Sequence, residues 1–370
     1  MRKKLAVILV VIMAISIGFS GCASSTPAPT PAADVTKIVL LLNGTLGDKS
    51  FFDSAAAGMD LIKAKYGDKV DVKTIEMSYD QTKWEPTLLD VSTQDYNVII
   101  LGTWQMTDAL TKIAPQYPDK KYIIFDTSVD YTKGNLGNVY SITYKQNEGS
   151  FLAGVLAAEV TKSTLPLANK DNKIGFLGGM DIPVINDFLV GYIQGAQYID
   201  KTIKVAISYI GSFDDSAKGK EMALAQYNQG ADIGFNVAGQ AGLGQLDAAK
   251  EAQKYAIGVD SDQAAIFETT DPAKSKLILT SVLKRVDQSL LRAIDMQMDG
   301  TAKYGQMEAL GFKEGCVGIV KNANYIATVP AAVQTELTDL EAKIVNGDIV
   351  VGSALGMDTA ALDKIRTAVK

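Results

Sequence analysis

Two aspartates stand at the ends of matched apolar runs: Asp126 closes Tyr122-Ile123-Ile124-Phe125, and Asp260 closes Ala256-Ile257-Gly258-Val259. A strand-end carboxylate either caps the helix that follows or accepts hydrogen bonds from a ligand lying outside the strand ends. Two such carboxylates facing one hollow could also serve an enzyme as an acid–base pair. The chain contains no histidine, which excludes nucleophilic triads built on histidine and histidine zinc sites. Further polar candidates are the cations Lys284-Arg285 and a loop, Asn43 to Phe52, in which Gly44 and Gly47 allow tight turning. Asp48, Lys49 and Ser50 give that loop polar groups, and Phe51-Phe52 place two rings where a helix begins. Trp104 and Phe213 are further aromatic candidates, each with core packing or an ordinary turn as its plainer reading. Gly239, Gly242 and Gly244 spell Gly-Gln-Ala-Gly-Leu-Gly, but no lysine-serine pair follows, so a nucleotide-hydrolysing loop is rejected.

The elements that must position these groups repeat. Lys37-Ile38-Val39 is echoed by Lys173-Ile174-Gly175 at an offset of 136, Asp80 by Asp214 at 134, and Asn97-Val98-Ile99 by Asp232-Ile233-Gly234 at 135. Asp126 and Asp260 are themselves 134 apart. Continuous apolar runs such as Ile38–Leu42 suit strands buried on both faces of a parallel sheet. The repeat therefore predicts an α/β protein of two similar doubly wound lobes, with strands near 37–42, 70–77, 97–101 and 121–126 in the first and the ligand cleft between the lobes. Further on, 276–282 is predicted as a strand, 285–298 as a helix and 315–320 as a strand. The helix 148–161 shows a small-residue face, Gly149, Ala153, Gly154, Ala157 and Ala158, which predicts close packing on another element.

At 370 residues and 47% hydrophobic content there is ample core for two or three domains. The net charge of −6 includes three cations at the extreme N-terminus, so the rest is more acidic still, which argues against nucleic acid as a partner. Residues 1–21 form a signal pattern: Arg2-Lys3-Lys4, an apolar run from Leu5 to Phe19, then Ser20-Gly21 before Cys22. The pattern resembles a bacterial lipoprotein signal, which implies cleavage before Cys22 and lipidation of its thiol. An uncleaved anchor is the alternative, although the run is short for a span of roughly 20 residues. Residues 22–35, rich in proline, serine and alanine, read as a solvated tether. The other cysteine, Cys316, reads as a buried core residue.

A resemblance covers nearly all of residues 36–350. Gly47-Asp48-Lys49-Ser50-Phe51, Glu148-Gly149-Ser150-Phe151-Leu152-Ala153-Gly154, Gly211-Ser212-Phe213-Asp214-Asp215, Gly258-Val259-Asp260-Ser261-Asp262-Gln263 and Ser281-Val282-Leu283-Lys284-Arg285 occur in this order. Together they resemble the basic membrane lipoprotein family, nucleoside-binding lipoproteins of ABC importers with the type I periplasmic-binding-protein fold. The resemblance implies that Asp260 accepts ribose hydroxyls, Lys284 donates to the sugar or clamps the acid, and Asp126 faces the ligand from the other lobe. It places Asp48, Ser50, Phe51 and Phe52 at the opening loop, Phe213 and Trp104 against a flat base, and Asn236 and Gly239 after the strand 232–235. Where the family pattern continues Phe-Asn this chain has Phe51-Phe52-Asp53, and a helix position often aromatic is Ala57, which leaves base recognition open. The function implied is a lipid-anchored, extracytoplasmic solute-binding component that closes on a purine nucleoside and presents it to an ABC permease, without catalysis, cofactor or metal. A sugar-binding protein and a nucleoside hydrolase are the alternatives, and a surface adhesin or a signalling receptor is a further one. The implied division is 36–143 with part of 285–325 as the N-terminal lobe, and 144–284 with part of 326–370 as the C-terminal lobe.

Overall fold

Short apolar runs bounded by glycine, asparagine and aspartate fold as strands covered on both faces, the condition a parallel sheet imposes. The structure is a computed structural model that describes residues 35–370; the signal segment, Cys22 with its expected lipid and the tether through residue 34 lie outside the described residues. The described residues form β1 (Thr36–Leu42), β2 (Val70–Glu76), β3 (Val98–Gly102), β4 (Lys121–Phe125), β5 (Val139–Tyr144), β6 (Lys173–Gly178), β7 (Lys204–Tyr209), β8 (Ile233–Val237), β9 (Tyr255–Asp260), β10 (Ile278–Lys284), β11 (Gln306–Leu310) and β12 (Val317–Ile319).

Two six-stranded sheets result, ordered β11-β5-β4-β3-β1-β2 and β12-β10-β9-β8-β6-β7. All pairs are parallel except β10 with β12. The repeat is thus structural: β1 corresponds to β6, β2 to β7, β3 to β8 and β4 to β9. The chain passes from one sheet to the other between Tyr144 and Gln146, between Lys284 and Val286, and between Leu310 and Val317. After the second passage the helix Val286–Met298 returns to the first lobe, burying Val286, Leu290, Ala293 and Ile294 with β1 and the helix Phe51–Tyr66. Helix Ala331–Asn346 buries Leu337, Leu340 and Ile344 in the core of the second lobe. Helix Thr359–Ala368 follows, and just beyond it the Val369 carbonyl accepts from Val205 N at 2.9 Å.

One strand differs from its expected bounds in a way that matters. The run predicted at 276–282 is paired from Ile278 through Lys284, so Lys284 ends a buried strand.

Gly154 of the small-residue face meets the helix Pro183–Ile199, which lies against Gln146–Thr161, whereas Gly149 meets Val282 of β10 and Val317 of β12. A Cβ at Gly154 would come within 2.1 Å of the Tyr192 carbonyl oxygen, one at Gly195 within 2.0 Å of the Phe151 oxygen, and one at Gly191 within 2.3 Å of the Asn147 oxygen. These are backbone atoms, so neither helix can yield by a side-chain rotation. Gly154→Ala is expected to destabilise the protein by about 2 kcal/mol, overpacking outweighing the helix-propensity gain. A urea melt reads this as a lower midpoint at unchanged slope; an unchanged midpoint would mean that the helices separate freely.

Candidate ligand-binding site

The strand order reverses beside the first strand of each sheet, with β1 between β2 and β3 and β6 between β7 and β8. In open α/β sheets that reversal leaves a crevice outside the carboxyl ends of the strands. Here the carboxyl ends of both sheets face one cavity, which encloses about 710 Å³ of atom-free space, mouth included. Asn43, Thr103 and Asp126 reach it from the first sheet, and Val237, Ala238 and Asp260 from the second.

The backbone is strained around this hollow. Of the seven non-glycine residues with positive φ among those described, Lys49, Ser78, Thr103, Asp126 and Asp260 all follow or end strands on the cavity side. Asp126 (φ 66°) and Asp260 (φ 62°) hold the same left-handed conformation at matched places, which aspartate tolerates better than bulkier residues do. Their carboxylates are turned inward and not onto the next helix: neither caps a helix, and both line the cavity.

Lys284 joins the two halves. Its Nζ donates to Asp126 Oδ1 at 2.6 Å across the lobes, and it lies 5.3, 5.6 and 5.0 Å from the ring centroids of Phe51, Tyr144 and Phe188. An ammonium so enclosed is held by its ion pair and by ring faces. The acids outnumber it. Burial raises the pKa of Asp126, with Lys284 opposing. Burial also pushes the Asp260 carboxyl from its ordinary 3.8 up to about 6, opposed by Lys284 and by the Ser50 hydroxyl and aided by the carboxylates of Asp48 and Asp126.

The opening loop divides its labour. Asp48 lines the cavity, yet its oxygens accept Ser50 N at 3.0 Å, Phe52 N at 2.8 Å and Asp53 N at 3.1 Å, so it folds the loop over the helix start. Asp53 does likewise, accepting Gly47 N at 2.7 Å and Lys49 N at 3.0 Å. Ser50 is buried behind the wall and its hydroxyl donates to Asp260. Gln263 Nε2 donates to Lys49 O at 3.2 Å and the Ser261 hydroxyl to Ser50 O at 3.3 Å, tying the loop to the second lobe. Phe51 packs 5.5 Å from Phe125 and Phe52 6.3 Å from Tyr79, ring centre to ring centre. On the facing lobe Phe213 lies over Gly179, where a Cβ would meet its ring at 2.4 Å. Trp104 lines the cavity from the rim, 48% exposed. Gly239 is on the wall with φ 55°.

Asn236 is not brought to the cavity. Strand β8 runs through Val237, so Asn236 is a strand residue, fully buried, with Nδ2 donating to Ile257 O at 3.2 Å. Val237 and Ala238 occupy the wall instead. Sequence reasoning also passed over Asn43, Tyr79, Thr103, Gln105 and Phe188, which the wall contains. Asn43 and Thr103 directly follow the apolar runs of β1 and β3, and the strand-end rule that marked the aspartates applies to them equally. Among the described residues no cluster of acids or cysteines could hold a metal ion, and no helix is long and apolar enough to cross a membrane.

Aromatic and aliphatic walls with a few convergent polar groups form a pocket for a small ligand. The family model described as "ABC transporter substrate-binding protein PnrA-like" matches residues 35–354. Basic membrane protein A of Borreliella burgdorferi is 32% identical, with 94% of this chain and 95% of that protein covered. The ABC transporter nucleoside-binding protein BmpA of Lactococcus lactis is 31% identical over 95% of this chain and 100% of its own length. A crystal structure of an ABC transporter solute-binding protein from Aeropyrum pernix superposes with a TM-score of 0.75 at 26% identity, covering 90% of this chain and 98% of the other. On the match over residues 35–354 and the identity to these relatives, the chain belongs to the PnrA-like family of ABC transporter substrate-binding proteins.

Proposed function

We propose that this protein captures a nucleoside, a purine nucleoside by preference, by closing its two lobes, and delivers it to an ABC permease from a lipid anchor at Cys22. The family is one of solute-binding transport components and not of enzymes. The observation that carries the reading is the meeting of Asp260, from one lobe, with the Phe51 ring, from the other, in a single cavity walled on its far side by Phe213. A carboxylate has two acceptor oxygens, which match the two neighbouring O–H donors of a ribose. Flat rings and the aliphatic side chains of Ile182, Val184 and Ile185 favour a planar apolar face, which a base has and a plain sugar lacks. The name of the Lactococcus relative supports the same ligand class. Contacts from both lobes would stabilise the closed state in proportion to the ligand's greater affinity for it.

Titration calorimetry on protein stripped of ligand by unfolding and refolding tests this. Inosine is expected to bind with a Kd of about 1 μM or below, and ribose at least about 100-fold more weakly. Ribose binding as tightly as inosine would convert the reading to a sugar receptor. Steady release of free base would convert it to a hydrolase.

A further inference from the structure

The helix Pro183–Ile199 starts at the cavity with little in its own backbone to hold its entry. Ile182, Val184 and Ile185 line the hollow, and no side chain caps the helix at Ile182. Gly179, just before, is tied on both sides, its N–H donating to Val237 O at 2.9 Å and its carbonyl accepting from Gly211 N at 2.7 Å. Beyond it the backbone bonds are local, Ile182 N to Met180 O at 3.1 Å and Asn186 N to Ile182 O at 2.9 Å. Such a segment opens easily unless side chains fix it.

The far end of the chain supplies one. Arg366, on the helix Thr359–Ala368, sets its guanidinium 5.2 Å from the centroid of the Tyr209 ring, with its side chain 13% exposed. Its Nη2 lies 2.5 Å from Asp181 Oδ1, 2.8 Å from Asn186 Oδ1 and 2.7 Å from the Tyr209 hydroxyl oxygen. The orientations in this knot are set by its chemistry. Burial raises the pKa of Asp181, but the hydrogen bonds of Arg366 and Asn186 hold it below its ordinary value, so the ionised group can only accept. The Asn186 amide must then turn Nδ2 to Asp181, at 2.8 Å, and Oδ1 to Arg366 and to the Tyr209 hydroxyl, which donates at 2.6 Å. Asn186 is buried and directly follows Ile185. The Ile185 side chain and the Tyr209 ring close together over Gly178, where an added Cβ would lie 2.8 Å from each. The knot thus stands immediately behind the cavity wall. A half-exposed acid contributes little through charge alone, so the weight falls on the guanidinium as the one group that reaches the loop, the helix start and the strand end at once.

We infer that Arg366 is a positioning residue of the ligand site: from the C-terminal helix it fixes the loop 179–186, so that Ile182, Val184 and Ile185 form a wall already in place when the ligand arrives. A preformed wall raises affinity because binding need not order it. The effect on affinity rests on the nucleoside reading above, whereas the fixing of the loop stands apart from it.

Two variants and two measurements test it. Arg366→Met keeps an apolar stem against the Tyr209 ring and removes the fork, and Asp181→Ala, at a half-exposed position, removes the acceptor that orients Asn186. By calorimetry on the refolded protein both are expected to bind inosine about tenfold more weakly than the wild type. In hydrogen exchange of the ligand-free protein, read by mass spectrometry, peptides carrying the Ile182 and Asn186 amides are expected to exchange about tenfold faster, with those of β6 and β8 unchanged. Should Arg366→Met fail to fold, Asp181→Ala is read by the same two measurements. Inosine affinity within about twofold of the wild type's in a folded variant would overturn the inference, as would faster exchange confined to residues 359–369, since Arg366 would then anchor only its own helix. Failure of the wild type to bind any nucleoside would overturn the nucleoside reading, and exchange at Ile182 and Asn186 would then decide the inference by itself.

Discussion

Lys284→Met should cost about 3 kcal/mol of stability at neutral pH, the low end of what breaking a buried ion pair costs, because the cavity admits water to Asp126. Methionine fills much of the same volume, so the loss measures the charge and not a hole. The reason is one of sign: three carboxylates, Asp48, Asp126 and Asp260, line the cavity, and Lys284 is the one cation among its lining residues. Without the ammonium, the raised pKa of Asp126 rises further. A carboxyl with a folded pKa above its unfolded one favours the fold in acid and opposes it once the pH exceeds the folded value. The deficit in urea melts should therefore shrink as pH falls from 7.5 to 5. Adding Asp126→Asn should recover most of the loss, and a double-mutant cycle with no coupling would mean that the pair does not hold the lobes together.

Asp260→Asn should weaken inosine binding by about 1.5–3 kcal/mol, the scale of hydrogen bonds to a charged group. Asparagine is the informative replacement because it accepts the left-handed backbone at φ 62° and can still receive the Ser50 hydroxyl. The same change should leave the unliganded protein as stable or more so, since burial disfavours this carboxylate. The pH signs are opposite for folding and for binding. With the pKa raised from 3.8 to about 6, the contribution of Asp260 to stability is full below the unfolded value and is lost as pH rises through about 6. Ribose hydroxyls need the ionised form, so affinity should rise over the same window, being about tenfold weaker at pH 5 than at pH 7. In Asp260→Asn that dependence should vanish. A wild-type Kd flat from pH 5 to 7 would exclude Asp260 from contact with the ligand.

The strand framework was legible because burial on both faces forces uninterrupted apolar runs, and duplication supplied each run with a partner at 134–136 residues. The same rule put Asp126 and Asp260 at strand ends, where both line the cavity. Lys284 lay outside the predicted strand 276–282, because only a carboxylate 158 positions away makes its burial tolerable. Asn236 was misjudged by the length of one strand. Extending β8 through Val237 turned the amide into the sheet and left the wall to Val237 and Ala238. The role of Asp48 was equally hidden, because a carboxylate that folds a loop and one that meets a ligand look alike until the neighbouring N–H groups are placed.

The threading of the chain has a consequence for how it is made. When a ribosome has released β1 through β5, the first sheet still lacks its outer strand, and Val286, Leu290 and Ile294 have not yet emerged to cover it. That lobe can be finished only after some 310 residues are out, by which time most of the other lobe is also at hand. Neither half is thus a natural early folding unit, and the nascent chain stays open until nearly the whole of it is available to a partner on either side.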